Sequence, residues 1–139
     1  MTTRDMPPAS PPRVIGHRGA AGHAPENTLA GFAKAAVLGA RWVEFDVRLT
    51  RDGRPVVFHD DTLERTTDGQ GRVSETDLTR IKKLDAGRWF AKDFAGERVP
   101  ALEDALQALE RLGLGANIEM KSDSDAARVA RRPPRSARP

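Results

Sequence analysis

Residues 42–49 read WVEFDVRL and combine a clear strand pattern with two acidic side chains. Three apolar residues alternate with Glu44 and Asp46, and a period of two predicts a β-strand, over residues 41–49, with one apolar and one acidic face. Two carboxylates on one buried face repel and raise each other's pKa, a penalty that a bound cation removes. The segment therefore predicts a buried strand that supplies ligands to a cation.

Strands and helices alternate on both sides of this segment. We predict strands at residues 13–17, 55–59 and 116–121, and helices at residues 29–39, at 77–84 and from Pro100 onward. Asn27 or Thr28 can cap the first helix. The last helix has an apolar stripe of Leu102, Ala105, Leu106, Leu109 and Leu112. This alternation predicts an α/β fold with a largely parallel sheet, although only a short Asp52-Gly53 turn separates the second and third strands.

Ionisable side chains collect where the predicted strands end. They are His17 and Arg18 after the first strand, Glu44 and Asp46 on the second, His59 after the third, and Glu119 and Lys121 on the fourth. In parallel α/β folds the functional groups lie at the carboxyl edge of the sheet. The sequence therefore predicts one site built from four strands.

These residue types favour a divalent cation and an anionic substrate. Glu44, Asp46 and Glu119 form an all-carboxylate set, which suits Mg²⁺ or Ca²⁺ rather than zinc or copper. Lys121 shares a strand face with Glu119 and can meet an anion, and the guanidinium of Arg18 can bind two phosphate oxygens. A cation held by carboxylates next to two basic side chains is suited to phosphoester chemistry.

Two histidines complete the predicted site. An imidazole can accept or donate a proton near neutral pH. One of His17 and His59 can therefore accept a proton while the other donates one, and the sequence does not decide which. Together with the cation, they suit cleavage of a phosphodiester. His23 lies in the glycine-rich loop and fits no such role. We expect Asp60 and Asp61 to shape a turn, and Glu26 and Asn27 to cap the helix.

Composition excludes several classes of protein. The 139-residue chain has no cysteine, which excludes a disulfide scaffold, a zinc–thiolate site and a thiol nucleophile. Its net charge of +3 lies in the two end segments, and the body is close to neutral, which argues against a nucleic-acid partner. No apolar run approaches the roughly 18 residues of a membrane span, and residues 1–13 lack the apolar core of a signal peptide. We therefore expect a soluble, cytoplasmic protein.

Seven short motifs occur in the same order as in one enzyme family. They are HRG (17–19), PENT (25–28), VEFDV (43–47), VFHDDTL (57–63), RTT (65–67), VPALE (99–103) and NIEMK (117–121). Together they resemble the glycerophosphodiester phosphodiesterase family, and the resemblance covers residues 14–121. Each motif alone is a weak signal, whereas seven in order are specific.

The resemblance implies a (β/α)₈ barrel that hydrolyses glycerophosphodiesters to sn-glycerol 3-phosphate and an alcohol such as choline or ethanolamine. It implies a divalent cation held by residues matching Glu44, Asp46 and Glu119, an acid/base pair matching His17 and His59, and phosphate contacts matching Arg18 and Lys121. In a mechanism proposed for the family, a glycerol hydroxyl of the substrate attacks phosphorus, and water then opens the cyclic phosphate.

Length departs from this family pattern. A (β/α)₈ barrel needs about 250 residues, whereas we count four barrel strands within residues 14–121. We interpret this region as the N-terminal half of a barrel and residues 1–13 as a flexible proline-rich leader. Residues 122–139 are interpreted as a disordered Arg/Pro-rich tail that arises from an out-of-frame reading or a gene-model error. Unpaired edges on the first and fourth strands predict self-association.

Two other interpretations stay open at this point. The chain can be an inactive fragment that binds metal without turnover. It can also be a related phospholipid-cleaving phosphodiesterase of the same barrel type, although such an enzyme needs an apolar membrane-facing loop, and the sequence shows none.

Overall fold

A computed structural model describes residues 14–122 of the chain. Its strands are β1 (Gly16–His17), β2 (Trp42–Leu49), β3 (Pro55–Val57) and β4 (Gly115–Met120), and its helices are α1 (Leu29–Val37), α2 (Leu78–Ile81) and α3 (Leu102–Leu112). Short 3₁₀ turns cover Val73–Glu75 and Lys92–Phe94. The predicted leader, and the predicted tail beyond Ser122, lie outside the described residues.

The strand β2 is the centre of the four-stranded sheet. It pairs in parallel with β1 on one side, where His17 lies opposite Glu44, and with the whole of β4 on the other side. The largely parallel sheet predicted from the alternation of strands and helices is therefore confirmed for β1, β2 and β4.

The third strand runs in the other direction. β3 pairs antiparallel with the end of β2, with Val47 opposite Val57, so it is the returning arm of a hairpin. The count of four barrel strands is wrong in this respect, because three parallel strands are present among the described residues. The physical reason is the connection through Gly53, which is too short for the crossover that a parallel strand needs.

One face of β2 builds the main core. Val43, Phe45 and Val47 are fully buried, as their alternation predicts, and pack against helices α1 and α3. The rings of Phe32 in α1 and Phe45 lie 5.4 Å apart at a tilted angle. A second buried apolar cluster, around Leu63, is formed mainly by residues of the long connection between β3 and α3. The acidic side chains of β2 thus project from a rigid strand.

The helix α1 is capped by Thr28 rather than by Asn27. The Thr28 hydroxyl accepts a hydrogen bond from the Gly31 amide at 3.1 Å and donates one to the Pro25 carbonyl at 2.7 Å. The loop before the helix packs directly against it, since a Cβ on Gly19 would lie 2.9 Å from the Gly31 carbonyl carbon. Asn27 is therefore available for a different contact.

Apolar side chains remain exposed on α3 and on the β4 edge. Leu106 and Leu112, predicted as part of the buried stripe of α3, are 46% and 37% exposed, and Ala108 is buried in the core instead. Ile118 and Met120 of β4 are also exposed. Within residues 14–122, no helix is both long and apolar enough to cross a membrane.

Candidate functional site

The parallel register places the acidic side chains side by side. Asp46 of β2 lies directly opposite Glu119 of β4, and Glu44 lies opposite His17 of β1. Since residues two apart on a strand share a face, Glu44 and Asp46 project together. The geometry brings side chains of β1, β2 and β4 together at one edge of the sheet, whereas the prediction was of four strands; His59, the fourth contribution, follows the antiparallel β3.

Glu44, Asp46 and Glu119 form a group that could hold a metal ion. One carboxylate oxygen from each residue lies within 4.8 Å of the others. Asp46 is buried, Glu44 is partly buried, and Glu119 is exposed on the β4 edge. Burial, followed by repulsion from Asp46, raises the pKa of Glu44 above its ordinary value of 4.5. A cation would relieve this penalty, and three carboxylates are ligands that a hard divalent cation prefers.

Basic and polar groups surround the buried carboxylate of Asp46. Asn27 Nδ2 donates a hydrogen bond to Asp46 Oδ2 at 3.1 Å. Arg18 Nε lies 3.6 Å from the same oxygen, and Lys121 Nζ lies 3.8 Å from Asp46 Oδ1. Lys121 also donates a hydrogen bond to Glu119 at 3.0 Å, which holds the pKa of that carboxyl below its usual range. Both predicted phosphate contacts therefore lie at the carboxylate group.

Arg18 is held in an unusual backbone conformation. Its φ is 51°, in the left-handed region that few residues other than glycine adopt. In this conformation its amide donates a hydrogen bond to Glu44 Oε2 at 3.3 Å, and its side chain reaches Asp46. The Arg18 Nε atom is buried and has no hydrogen-bond partner among the described residues. A donor in this state suits an anionic group at the carboxylate edge.

The two histidines lie on different sides of the site. His17 Nε2 lies 3.6 Å from Glu44 Oε2, and the imidazole is 67% exposed. A cleft of about 760 Å³ opens beside His17, but its lining includes none of the three carboxylates. His59 follows β3, and its carbonyl accepts a hydrogen bond from Arg48 Nε at 2.8 Å. Its Nδ1 atom lies 2.7 Å from Asp60 Oδ1, and 29% of the side chain is exposed.

A network of ion pairs behind the site was not predicted. Arg65 binds Asp60 and Glu26, which in turn contact His59 and Arg18. We expected Asp60 to shape a turn and Glu26 to cap a helix, although the family pattern keeps Glu26 and Asn27 near the site. A signal was present in the sequence, because Glu26 and Arg65 both fall within motifs of the family resemblance. Periodicity could not reveal a contact between residues 39 positions apart.

The stability of the chain is expected to depend on pH through Asp60. Hydrogen bonds from Arg65, assisted by His59, hold the pKa of Asp60 well below its ordinary value of 3.8. A carboxyl whose pKa is lower in the folded than in the unfolded chain stabilises the fold above the unfolded value, and that contribution is lost as pH falls through the folded value. From about pH 5 to about pH 2, urea unfolding should therefore show a larger loss of stability in the wild type than in Asp60→Asn.

Asp77→Asn is the control for this comparison. It removes a carboxylate from the exposed pair with Arg51, whose contribution solvent screens, and its pH dependence should follow that of the wild type. If the wild type and Asp60→Asn lost the same free energy of unfolding as the pH falls, the lowered pKa of Asp60 would be contradicted.

The fold and its edge site define an α/β protein with a candidate metal centre at the carboxyl ends of parallel strands. The model of the glycerophosphoryl diester phosphodiesterase family matches residues 17–132, so the chain belongs to that family. This match extends 11 residues past the domain boundary predicted at residue 121.

Relatives and solved structures agree with this assignment. The glycerophosphodiester phosphodiesterase of Caldanaerobacter subterraneus is 50% identical over 109 residues, 78% of this chain and 45% of that protein. Glycerophosphodiester phosphodiesterase 1 of Homo sapiens is 43% identical over 119 residues, 84% of this chain and 36% of that protein. An Oleispira antarctica phosphodiesterase, solved in complex with the product sn-glycerol-3-phosphate, has a TM-score of 0.82 at 46% identity, with 85% of this chain and 48% of that chain covered.

A solved glycerophosphodiester phosphodiesterase from Agrobacterium tumefaciens has a TM-score of 0.73 at 45% identity, with 82% of this chain and 49% of that chain covered. The structural neighbours are (β/α)₈ barrels, which confirms the predicted fold class, and the described residues form part of such a barrel. The chain spans half or less of the length of each of these four proteins.

Proposed function

We propose that the chain carries active-site residues for metal-dependent hydrolysis of glycerophosphodiesters to sn-glycerol 3-phosphate and an alcohol. The observation that carries this proposal is the convergence of Glu44, Asp46 and Glu119 within 4.8 Å, next to His17, Arg18 and Lys121. Family membership supports the substrate class, and the product bound to the Oleispira antarctica protein belongs to the same chemistry.

Glu44, Asp46 and Glu119 are the proposed ligands of the cation. Their oxygen donors suit Mg²⁺ or Ca²⁺, and the three carboxylates do not distinguish between these ions. When bound, a divalent cation neutralises negative charge on a phosphoryl group. The raised pKa of Glu44 supports the assignment, because burial and the charge of Asp46 both disfavour the ionised carboxylate, and a bound cation would favour it.

The remaining residues of the site bind phosphate and move protons. Arg18 and Lys121 already contact the carboxylates, and we assign them to the non-bridging phosphate oxygens of the substrate. His17 and His59 are the acid/base pair: one removes the proton from the attacking hydroxyl, and the other protonates the leaving alkoxide. His17 lies 3.6 Å from Glu44 Oε2, beside the region where phosphate would bind.

Turnover of glycerophosphocholine tests the proposed activity. The purified 139-residue chain should release glycerol 3-phosphate in the presence of Mg²⁺ or Ca²⁺, and an added chelator should stop the release. Calorimetric titration with Ca²⁺ in the absence of substrate gives an independent readout of the site. Calcium binding without turnover would favour a metal-binding fragment, and the absence of both would overturn the proposal. Vesicles of intact phospholipid test the phospholipid-cleaving alternative.

Self-association through the edges of β1 and β4 stays a prediction. The exposed Ile118 and Met120 on the β4 edge support it, and sedimentation velocity of the purified chain measures it. A single monomeric species with a cooperative melt would contradict it. Cytoplasmic location also stays a prediction.

A further inference from the structure

Arg65 binds two carboxylates at the same time. Its Nε and Nη2 atoms donate hydrogen bonds to Asp60 at 2.8 and 2.9 Å, and its Nη1 and Nη2 atoms donate to Glu26 at 2.8 and 3.0 Å. The planar guanidinium has five donors in a fixed arrangement, so it can hold two carboxylates in one geometry. Arg65 therefore joins the loop after β3 to the loop before α1.

The Glu26 branch of this network leads to the phosphate-binding side. The Glu26 carboxylate is buried, with only 8% of the side chain exposed, and it accepts hydrogen bonds from Arg18 Nη1 at 3.2 and 3.3 Å. Arg18 lies in turn 3.6 Å from Asp46. A buried carboxylate shared by two arginines is compensated only while both remain in place. The position of Arg18 thus depends on Arg65.

The Asp60 branch leads to the acid/base side. Asp60 Oδ1 lies 2.7 Å from His59 Nδ1. Arg65 binds both oxygens of the Asp60 carboxylate and so fixes the orientation in which Oδ1 meets the ring. At neutral pH this carboxylate is ionised and is only an acceptor. The Nδ1 atom must therefore carry the proton, which leaves Nε2 of the neutral ring as the proton acceptor.

We propose that Arg65 is a positioning residue that fixes His59 in the Nδ1–H form and orients Arg18 through two separate carboxylates. The consequence for turnover rests on the proposed function, whereas the consequence for the His59 ring does not. Arg65 itself contacts neither the three clustered carboxylates nor His17 through any described hydrogen bond or ion pair. Its effect is therefore indirect.

Nitrogen-15 NMR of the histidine rings tests the proposal without any need for activity. At about pH 8.5, where an ordinary imidazole is neutral, the wild-type His59 should show one protonated Nδ1 and one unprotonated Nε2. In Arg65→Met the Asp60 carboxylate is no longer held against Nδ1, so the two tautomers should interconvert and the signals of the two ring nitrogens should shift toward each other. Arg51→Met is the matched control, since Arg51 makes a similar two-bond contact to Asp77 elsewhere on the surface. Its spectrum for His59 should equal that of the wild type.

Steady-state kinetics give a second test of the role of Arg65. In a chain that turns over, Arg65→Met should lower kcat by about 10–100-fold, the usual cost of removing a group that orients a functional residue, and raise KM through Arg18. Arg51→Met should change neither parameter. Arg65→Lys should recover part of kcat, because an ammonium group can contact one carboxylate but lacks the planar fork that binds both. If Arg65→Met does not fold, Arg65→Lys replaces it in the NMR measurement.

The outcomes separate this proposal from the proposed function. If the wild-type chain has no turnover, the proposed function fails while the NMR comparison still decides the role of Arg65. An unchanged His59 ring in the Arg65 variants, or a mixture of tautomers in the wild type, would overturn the positioning role even if kcat falls.

Discussion

Asp46→Asn is expected to weaken binding of Ca²⁺ or Mg²⁺ by more than about 100-fold. Removal of a residue that only supports a metal ligand costs up to about 100-fold in affinity, and Asp46 is a proposed ligand itself. Asp46 is the central member of the carboxylate group, lying opposite Glu119 in the sheet and sharing a strand face with Glu44. Calorimetric titration of the purified chain with each cation measures the affinity directly.

The expected size follows from the charges around Asp46. Arg18 and Lys121 lie within 4 Å of its carboxylate, and both repel a metal ion. In the wild type three carboxylates offset this repulsion, whereas Asp46→Asn removes one full negative charge at the most buried position. The amide oxygen of asparagine can still coordinate, but as a neutral ligand it does not compensate the two cations.

Two further variants make the result interpretable. Loss of the Asp46 charge leaves Arg18 with Glu26 as its one carboxylate partner among the described ion pairs, which can destabilise the fold. Glu119→Gln tests the same site from an exposed position, with 56% of the Glu119 side chain accessible, and should also weaken binding. Glu103→Gln, an exposed carboxylate on α3, is the control and should bind like the wild type. Wild-type affinity in Asp46→Asn would show that these carboxylates do not form the metal site.

The central strand could be predicted because its signal is local. A period of two separates the apolar residues of β2 from Glu44 and Asp46, and the same period determines which side chains share a face. The predicted edge site followed from this period and from the rule that parallel strands present functional groups at their carboxyl ends. As this reasoning predicts, Phe45 is fully buried, and Asp46 lies opposite Glu119 in the sheet.

The direction of β3 was also accessible from the sequence, but the barrel count overlooked it. The link between β2 and β3 contains Gly53, with a φ of 73°, and so few residues between strands permit only an antiparallel return. The resemblance to a barrel family favoured counting every strand as a barrel strand. Here a local turn rule is the more reliable guide to topology.

The supporting residues could not be predicted from any local pattern. Asn27 looks like a helix cap, yet it adopts a left-handed φ of 56° and donates its amide to Asp46, 19 positions away. Its amide oxygen is buried without a hydrogen-bond partner among the described residues. Contacts of this kind depend on how two loops meet over the sheet, and propensity and periodicity contain no information about that.

Alanine substitution of either His17 or His59 is expected to lower kcat for glycerophosphocholine by about 10²–10⁴-fold, the usual contribution of general acid–base catalysis. KM should change little, because Arg18 and Lys121 are the proposed phosphate contacts. The two variants should fail in different ways. The His59 ring contacts Asp60 at 2.7 Å and is 29% exposed, so added imidazole has a carboxylate to bind in His59→Ala, whereas the 67% exposed His17 leaves an open surface.

The third histidine of the chain supplies the matched control. His23 lies in the glycine-rich loop that follows His17 and is exposed, but it contacts none of the carboxylates in any described ion pair. His23→Ala should therefore retain wild-type kcat, and rescue by imidazole should be confined to His59→Ala. If all three alanine variants lost activity equally, the loss would reflect the loop and the fold, and the acid/base roles would be contradicted. If only His17→Ala lost activity, His59 would not transfer a proton, and the second proton transfer would need another group.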